Sequence, residues 1–251
     1  MKALITGASS GIGQEMAIYL SNLGYDLILV ARNQADLKAL AKTLPTKSQV
    51  IALDLSVPEN CFKLYNEVKG QTIDIVINNA GFGLFGKMAE TDLNRELTMI
   101  DLNIKAVHIL TKLFLQDFTK RNKGYIMNVA SAAGFMAGPG LSTYYATKNY
   151  VLKLTLAIYE ELRTSHSKVH ICALCPGPVK TSFNKVAGGN FKINGVGSKF
   201  VAQYAIAKMV KNKLIIIPTL HMKLVIFLSR FLPTKLLLKI IGRIQNKKRG
   251  A

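Results

Sequence analysis

The sequence has no acidic side chain after Glu161, although it continues to residue 251. The first 161 residues hold 16 basic and 14 acidic side chains, a net charge of +2, whereas the rest holds 17 basic side chains and no acidic one. Charge of one sign gathered in one part of a chain predicts an anionic partner, such as a membrane leaflet, nucleic acid or an acidic substrate. Basic and aromatic residues do not interleave as in nucleic-acid-binding segments, so we expect no nucleic acid.

Cysteine is also scarce. Three cysteines cannot form a disulfide framework, and their odd number is typical of a reducing compartment. Cys172 and Cys175 form a C-x-x-C pattern, but they lie in an apolar run in which residues three apart on a strand face opposite sides of a sheet. We therefore expect two buried core residues, and no metal site.

Two further features are missing. No basic-then-apolar leader precedes the first apolar strand, and no uncharged run approaches the roughly 20 residues that a membrane span requires. We therefore expect a cytoplasmic protein that does not cross a membrane. Its length is most simply that of one α/β domain.

The opening stretch is the most informative one present. An apolar strand leads into glycines at positions 7, 11 and 13 and then into a helical pattern from Gln14 to Leu23. Glycines let the backbone approach a phosphate, Ser9 and Ser10 can bond to it, and the helix start offers free N–H groups and a positive dipole end. The order predicts a phosphate site, and an ordinary strand-to-helix turn is the alternative.

A second apolar run, Asp26 to Ala31, predicts a parallel strand buried on both faces. It is followed by Arg32. In a dinucleotide-binding fold a basic residue at this point accommodates a 2′-phosphate, whereas an acidic one bonds to the ribose hydroxyls. Arg32 therefore favours NADP over NAD, unless it is only a solvated residue at a helix start.

A chemical pair follows the predicted fifth strand, Tyr125 to Ala130. Ser131 lies at its carboxyl end, where open α/β sheets place ligands. Tyr144 and Lys148 are four residues apart, hence on one face of the next helix. An ammonium close to a phenol favours the phenolate, so we expect Lys148 to lower the pKa of Tyr144.

These motifs together resemble the short-chain dehydrogenase/reductase family over residues 1–218. The resemblance rests on Thr6 to Gly13, Asn78-Asn79-Ala80-Gly81, Ser131, the Tyr144/Lys148 pair and Pro176 to Thr181. It implies an α/β, Rossmann-like, doubly wound parallel sheet of about seven strands with helices on both faces. It also implies NADPH as cofactor, a carbonyl or alcohol substrate, and a homodimer or homotetramer.

The resemblance assigns the catalytic roles to Asn103, Ser131, Tyr144 and Lys148. Tyr144 would donate a proton to the carbonyl oxygen, Ser131 would hold that oxygen, and Lys148 would also grip the nicotinamide ribose. Asn103 would kink its helix, predicted from Leu93 to Phe118, and hold a water that relays protons to Lys148.

The resemblance also assigns the cofactor contacts. Asp54 would bond to the adenine amino group, although a helix cap is the bland alternative, and the Asn79 side chain would stabilise the central sheet. The complete set is Gly7, Ser9, Ser10, Gly11, Ile12, Gly13, Arg32, Asp54, Leu55, Asn79, Ala80, Gly81, Tyr144, Lys148, Pro176, Gly177, Val179 and Thr181.

Two loops are expected to face the substrate. Residues 81–86 match Gly-x-Gly-x-x-Gly, but Asp101, the acidic residue that should end a second strand, falls inside a helical pattern, so we interpret the segment as a loop. The resemblance implies that residues 182–197 are the substrate loop, and glycines at 188, 189, 195 and 197 suit a segment that orders when ligand binds. The aromatic and apolar candidates for the pocket, or alternatively for sealing the core, are Phe82, Leu84, Phe85, Phe135, Met136, Phe183 and Phe191.

Residues 219–251 form a separate basic extension. On a helical wheel one narrow sector holds Lys235, Lys239, Gly242, Arg243 and Asn246, while the remainder is apolar: Leu236, Leu237, Leu238, Ile240, Ile241 and Ile244. With Lys247-Lys248-Arg249 after it, such a helix either lies on an anionic membrane, through residues 221–251, or packs on its own domain or a second subunit.

The function predicted from sequence is hydride transfer between NADPH and a lipophilic 3-oxoacyl or hydroxysteroid-like substrate. The alternative is a non-catalytic dinucleotide-sensing or anion- or membrane-binding protein on the same scaffold. Such a protein would be expected to have lost Tyr144 or Lys148, and both are present.

Overall fold

The protein is a doubly wound α/β fold. Its computed structural model describes residues 1–188 and 195–249. A seven-stranded parallel sheet has the order β3-β2-β1-β4-β5-β6-β9. Its strands are β1 (Lys2–Thr6), β2 (Asp26–Ala31), β3 (Ser48–Ala52), β4 (Ile75–Asn78), β5 (Gly124–Val129), β6 (Val169–Leu174) and β9 (Ile215–Ile216). A separate short pair joins β7 (Val179–Lys180) and β8 (Val196–Gly197).

Ten α-helices occur in the described part of the chain: α1 (Gly11–Asn22), α2 (Gln34–Thr43), α3 (Pro58–Val68), α4 (Leu93–Ile100), α5 (Val107–Lys120), α6 (Ser142–Thr164), α7 (Phe183–Val186), α8 (Ser198–Met209), α9 (Leu220–Ser229) and α10 (Thr234–Arg249). A π-helical segment, Asp101–Ala106, joins α4 to α5. A 3₁₀ turn, Ala132–Phe135, follows β5. The predicted Leu93 to Phe118 helix is therefore continuous but widened in its middle.

The sheet is buried on both faces because its strands are apolar almost throughout. On one face Ile5 and Leu29 pack with residues of α1 and α8. On the other, Leu4 and Ile28 pack with residues of α3 and α5. The predicted layering is thereby confirmed, and Cys172 and Cys175 are free and buried as expected.

The strand order reverses between β1 and β4. In open parallel sheets a crevice opens at such a point, outside the carboxyl ends of the strands. The glycine turn after β1 and the Asn78-Asn79 segment that ends β4 both reach this crevice. The fold therefore brings together the first two motifs of the sequence.

The C-terminal helices α9 and α10 lie against the rest of the chain. Gln245 of α10 donates from Nε2 to the Tyr145 hydroxyl at 2.7 Å. Met222 of α9 lies so close to Gly177 that a Cβ there would be 2.7 Å from its Cγ. Of the alternatives predicted for this extension, the structure shows packing on the protein's own domain. Among the described helices, none is long and apolar enough to span a membrane.

Candidate active site

The turn after β1 has the geometry of an anion cradle. Gly7 and Gly11 have φ values of +66° and +58°, in the left-handed region that favours glycine. A Cβ at Gly13 would lie 2.3 Å from the Gly7 carbonyl oxygen. Ser10, the N-cap of α1, makes no side-chain capping bond, so the N–H groups of the first turn remain available. These features fit a nucleotide phosphate.

The turn is fastened to the end of β4. The Asn79 side chain donates to the main-chain oxygens of Thr6 and Gly7 at 3.0 and 3.1 Å. The Thr6 hydroxyl in turn accepts from the Asn79 and Ala80 N–H groups at 2.9 and 3.0 Å. Asn79 thus ties β4 to β1 at the glycine turn.

Buried side-chain hydrogen bonds centred on Asn78 join the sheet to the helices that cover it, a role that the sequence did not predict. Asn78 donates to Asn128 at 2.8 Å and to Thr111 at 3.0 Å, and Asn128 donates to Thr155 at 3.0 Å. All four side chains are buried. The sequence signal for this role was the polar Asn78 at the end of an otherwise apolar strand.

Arg32 and Asp54 lie at the far end of the same crevice. Arg32 is exposed, lines the cleft and forms no ion pair within the described residues. One oxygen of Asp54, Oδ1, accepts from the Ser56 N–H at 3.0 Å and from its hydroxyl at 2.7 Å. That carboxylate therefore fixes a turn before α3 and also lines the cleft. It is not the helix cap of the alternative interpretation, because the N-cap of α3 is Val57.

Tyr144 and Ser131 meet over the carboxyl end of β5. The Ser131 hydroxyl accepts from the Ala133 N–H at 3.1 Å, which holds it at the start of the 3₁₀ turn. The Tyr144 ring lies 5.3 Å from that of Phe183 in α7. Burial raises the pKa of Tyr144 to about 12, outweighing the hydrogen bond with Ser131, which lowers it.

Lys148 is bonded to the main chain at the end of β5. Its Nζ donates to the Val129 carbonyl at 2.8 Å and lies 5.9 Å from the centre of the Tyr144 ring. Burial lowers the pKa of this lysine to about 8. Tyr144 therefore does not show the expected lowering of its pKa, because its burial outweighs the effects that favour the phenolate.

Asn103 lies in the π-helical segment, so the predicted local distortion of its helix is confirmed. Its amide donates to the Phe82 carbonyl at 2.9 Å and to the Thr147 hydroxyl at 3.1 Å, and its oxygen accepts from the Phe82 N–H at 3.1 Å. The fully buried side chain joins the loop after β4 to α6. Its role in holding a water stays a prediction.

One cleft of about 1110 Å³ joins these groups. Every predicted site residue lines it except Gly13 and Asn103, which support its wall from behind. Of the predicted pocket residues, Phe82, Phe85, Met136 and Phe183 line it, whereas Leu84 and Phe135 do not. Phe191 and Gly189 lie outside the described residues.

Sequence reasoning missed the opposite wall. It comes from Tyr145 and from the inner sides of α9 and α10, with Met222, Val225, Leu228, Leu237, Ile240, Ile241, Ile244 and Gln245. The only available signal was the apolar face of the C-terminal helix, which was compatible with several partners.

An anion cradle, a strand-end serine and a Tyr/Lys helix pair around one cleft define a dinucleotide-binding oxidoreductase. The family profile of short chain dehydrogenases matches residues 1–190. An uncharacterized oxidoreductase of Staphylococcus epidermidis is 35% identical over 181 residues, which cover 71% of this chain and 78% of that protein. The NADP-dependent 3-hydroxy acid dehydrogenase of Schizosaccharomyces pombe is 35% identical over 191 residues, 73% of each chain.

A solved structure agrees. A short-chain dehydrogenase from Sphingobium yanoikuyae, in complex with NADPH, is 30% identical, has a TM-score of 0.83 and covers 88% of each chain. The chain belongs to the short-chain dehydrogenase family, whose members act on carbonyl or alcohol groups with a nicotinamide cofactor. The family match ends before α9 and α10 begin.

Proposed function

We propose that this protein is an NADP-dependent oxidoreductase that interconverts the carbonyl and alcohol forms of a lipophilic substrate of 3-oxoacyl or hydroxysteroid-like type. The observation that carries the proposal is the single cleft in which Ser131 and Tyr144 lie between a phosphate cradle and an apolar wall. Retention of Tyr144 and Lys148 argues against a non-catalytic role. The bound nicotinamide supplies or accepts the hydride.

The chain's own residues supply the rest of the chemistry. The Tyr144 hydroxyl, whose pKa is raised, is fully protonated near neutrality and donates its proton to the carbonyl oxygen during reduction. Ser131 holds that oxygen by hydrogen bonding. In oxidation Tyr144 must take the proton back, which requires a positive charge nearby. Lys148, 5.9 Å from the ring, is positioned to provide it.

The proposed preference for NADP rests on Arg32. Its exposed guanidinium, at the carboxyl end of β2, can pair with a 2′-phosphate without first breaking an ion pair seen in the described structure. The S. pombe relative, which is NADP-dependent, and the NADPH-bound structure support the same choice.

The test is NADPH oxidation with a panel of medium-chain aldehydes, 3-oxoacyl esters and ketosteroids. Tyr144→Phe should lower kcat/KM at least about a hundredfold, because it removes the proton donor. Tyr150→Phe, an exposed tyrosine of the same helix, is the matched control and should retain activity. Activity that survives in Tyr144→Phe would overturn the proposed mechanism.

We also propose that the outer sides of α9 and α10 contact an anionic membrane. Ten of the 21 exposed large hydrophobic residues in the described chain lie between Leu220 and Ile244. Five of these do not line the cleft, among them Leu220, Phe227 and Phe231, which are 79%, 54% and 70% exposed. Apolar patches of this kind mark contact surfaces. The surrounding basic side chains are exposed as well: Lys223, Arg230, Lys235, Lys239 and Arg243.

Vesicle flotation tests the membrane contact. The protein should float with vesicles containing phosphatidylglycerol and remain below with phosphatidylcholine alone. Phe227→Ser/Phe231→Ser should weaken flotation, whereas Phe62→Ser, an exposed phenylalanine on α3, should not. Equal flotation of all forms would refute the proposal.

We further propose that the protein is a homodimer or homotetramer. Light scattering measures its molar mass in solution directly.

A further inference from the structure

The apolar wall of the cleft contains one buried polar side chain. Gln245 of α10 lines the cleft and is only 5% exposed. Its neighbours along the inner face of the helix, Ile241 and Leu237, are apolar and line the same cleft. A Cβ at Gly242, one turn earlier, would lie 3.8 Å from Pro139 Cγ, so this part of α10 faces the loop before α6.

The hydrogen bonds of Gln245 are incomplete. Its Nε2 donates to the Tyr145 hydroxyl at 2.7 Å, but its buried Oε1 has no hydrogen-bond partner within the described structure. A buried amide oxygen without a donor is unfavourable, and such atoms are rare in native proteins. Because Gln245 lies in a wall of the cleft, a ligand that turns its side chain towards the cleft can supply the donor.

Tyr145 completes the pair. Its hydroxyl accepts from Gln245, so its own proton is free to be donated, and the residue lines the same cleft. Burial raises the pKa of Tyr145, which keeps the phenol protonated. The pair therefore offers one acceptor, Oε1 of Gln245, beside one donor, the Tyr145 hydroxyl.

We propose that Gln245 and Tyr145 bind a second oxygen function of the substrate, a neutral hydroxyl group carried at a distance from the carbonyl that reacts at Tyr144. A hydroxyl both donates and accepts, so it satisfies the two groups at once. A carboxylate would bring its charge against the lone pairs of Oε1, and a hydrocarbon end would leave Oε1 unpaired. The inference rests on the proposed function and names the substrate class more narrowly: hydroxylated lipophilic ketones or aldehydes.

The test compares three series of methyl ketones that differ only at the far end of a saturated chain: hydrogen, hydroxyl or methoxy. Chain length is varied in each series. In the wild type the hydroxy ketone of matching length should exceed both counterparts in kcat/KM by about tenfold or more, through a lower KM. Equal values for the three ends at every length would overturn the inference, as would a preference for the methoxy compound, which only accepts.

Variants identify the residues. Gln245→Leu and Tyr145→Phe should each bring the hydroxy-to-methoxy ratio towards one, while Gln203→Leu, an exposed glutamine on α8, should keep the wild-type ratio. A ratio within one preparation does not depend on how much of it is folded. An unchanged ratio in Gln245→Leu would overturn the assignment. Lack of NADPH oxidation with any ketone would instead refute the proposed function.

Discussion

Lys148 donates from Nζ to the main-chain oxygen of Val129, and its ammonium lies over the Tyr144 ring, 5.9 Å from the ring centre. The lysine is only 5% exposed. Its burial near the cleft favours the neutral amine, so the residue that the chemistry requires as a cation is placed where a cation is unfavourable. This conflict between stability and activity is open to measurement.

Lys148→Met should stabilise the protein without added cofactor, and more so at low pH. The folded-state pKa of about 8 lies below the ordinary value of 10.5. The unfavourable contribution of the charge, about 3 kcal/mol, is therefore complete below pH 8 and disappears as the pH rises to about 10.5. The gain in unfolding free energy, measured with urea from pH 7 to pH 10, should shrink over this window.

The control for the loss of a charge is Lys153→Met, an exposed lysine on the same helix. A gain for Lys148→Met that is the same at every pH would contradict the burial argument. Lys148→Met should also lose most of the enzymatic activity, since it can no longer supply positive charge beside Tyr144.

Gly13→Ala should abolish NADPH binding and lower stability. The added Cβ would lie 2.3 Å from the Gly7 carbonyl oxygen and 2.4 Å from the Asn79 amide, so the phosphate cradle must deform. We expect at least a hundredfold rise in Kd by calorimetry. Gly70→Ala, where nothing lies within 4 Å of the new Cβ, should bind normally, and normal binding by Gly13→Ala would contradict the cradle geometry.

Arg32→Ser should weaken NADPH binding by about ten- to thirtyfold and leave NADH binding unchanged. The expected loss is that of one exposed charge-assisted bond to a phosphate, about 1.5 to 2 kcal/mol. Titration of both cofactors measures it, with Lys38→Ser on α2 as the control for net charge. Equal losses for NADPH and NADH would show that Arg32 does not read the 2′-phosphate.

Asn103→Ala should loosen the loop after β4. It removes both hydrogen bonds to the Phe82 main chain and the one to Thr147 from a fully buried site. Leaving such groups unpaired lowers the unfolding free energy by about 2 to 4 kcal/mol. Urea denaturation and amide exchange at Phe82 measure the effect. Asn94→Ala, exposed on α4, should change neither.

The sequence predicted those parts of the molecule in which signal and structure are local. The glycine turn is specified within a few residues, and the sheet follows from short apolar runs between helical patterns. The apolar wall of the cleft could not be predicted, because it depends on contacts such as that between Gln245 and Tyr145, which are 100 residues apart. The pKa of Tyr144 was mispredicted because spacing gives proximity but does not give burial.

The close approach of Met222 to Gly177 has a consequence for how such a protein can diversify. The groups proposed to carry out the reaction all precede residue 190, whereas much of the apolar wall of the cleft follows residue 218. Reactivity and substrate preference are therefore expected to depend on separate segments of the chain. We therefore expect changes in the last two helices to alter which compounds the cleft accepts while the proposed proton donor stays untouched.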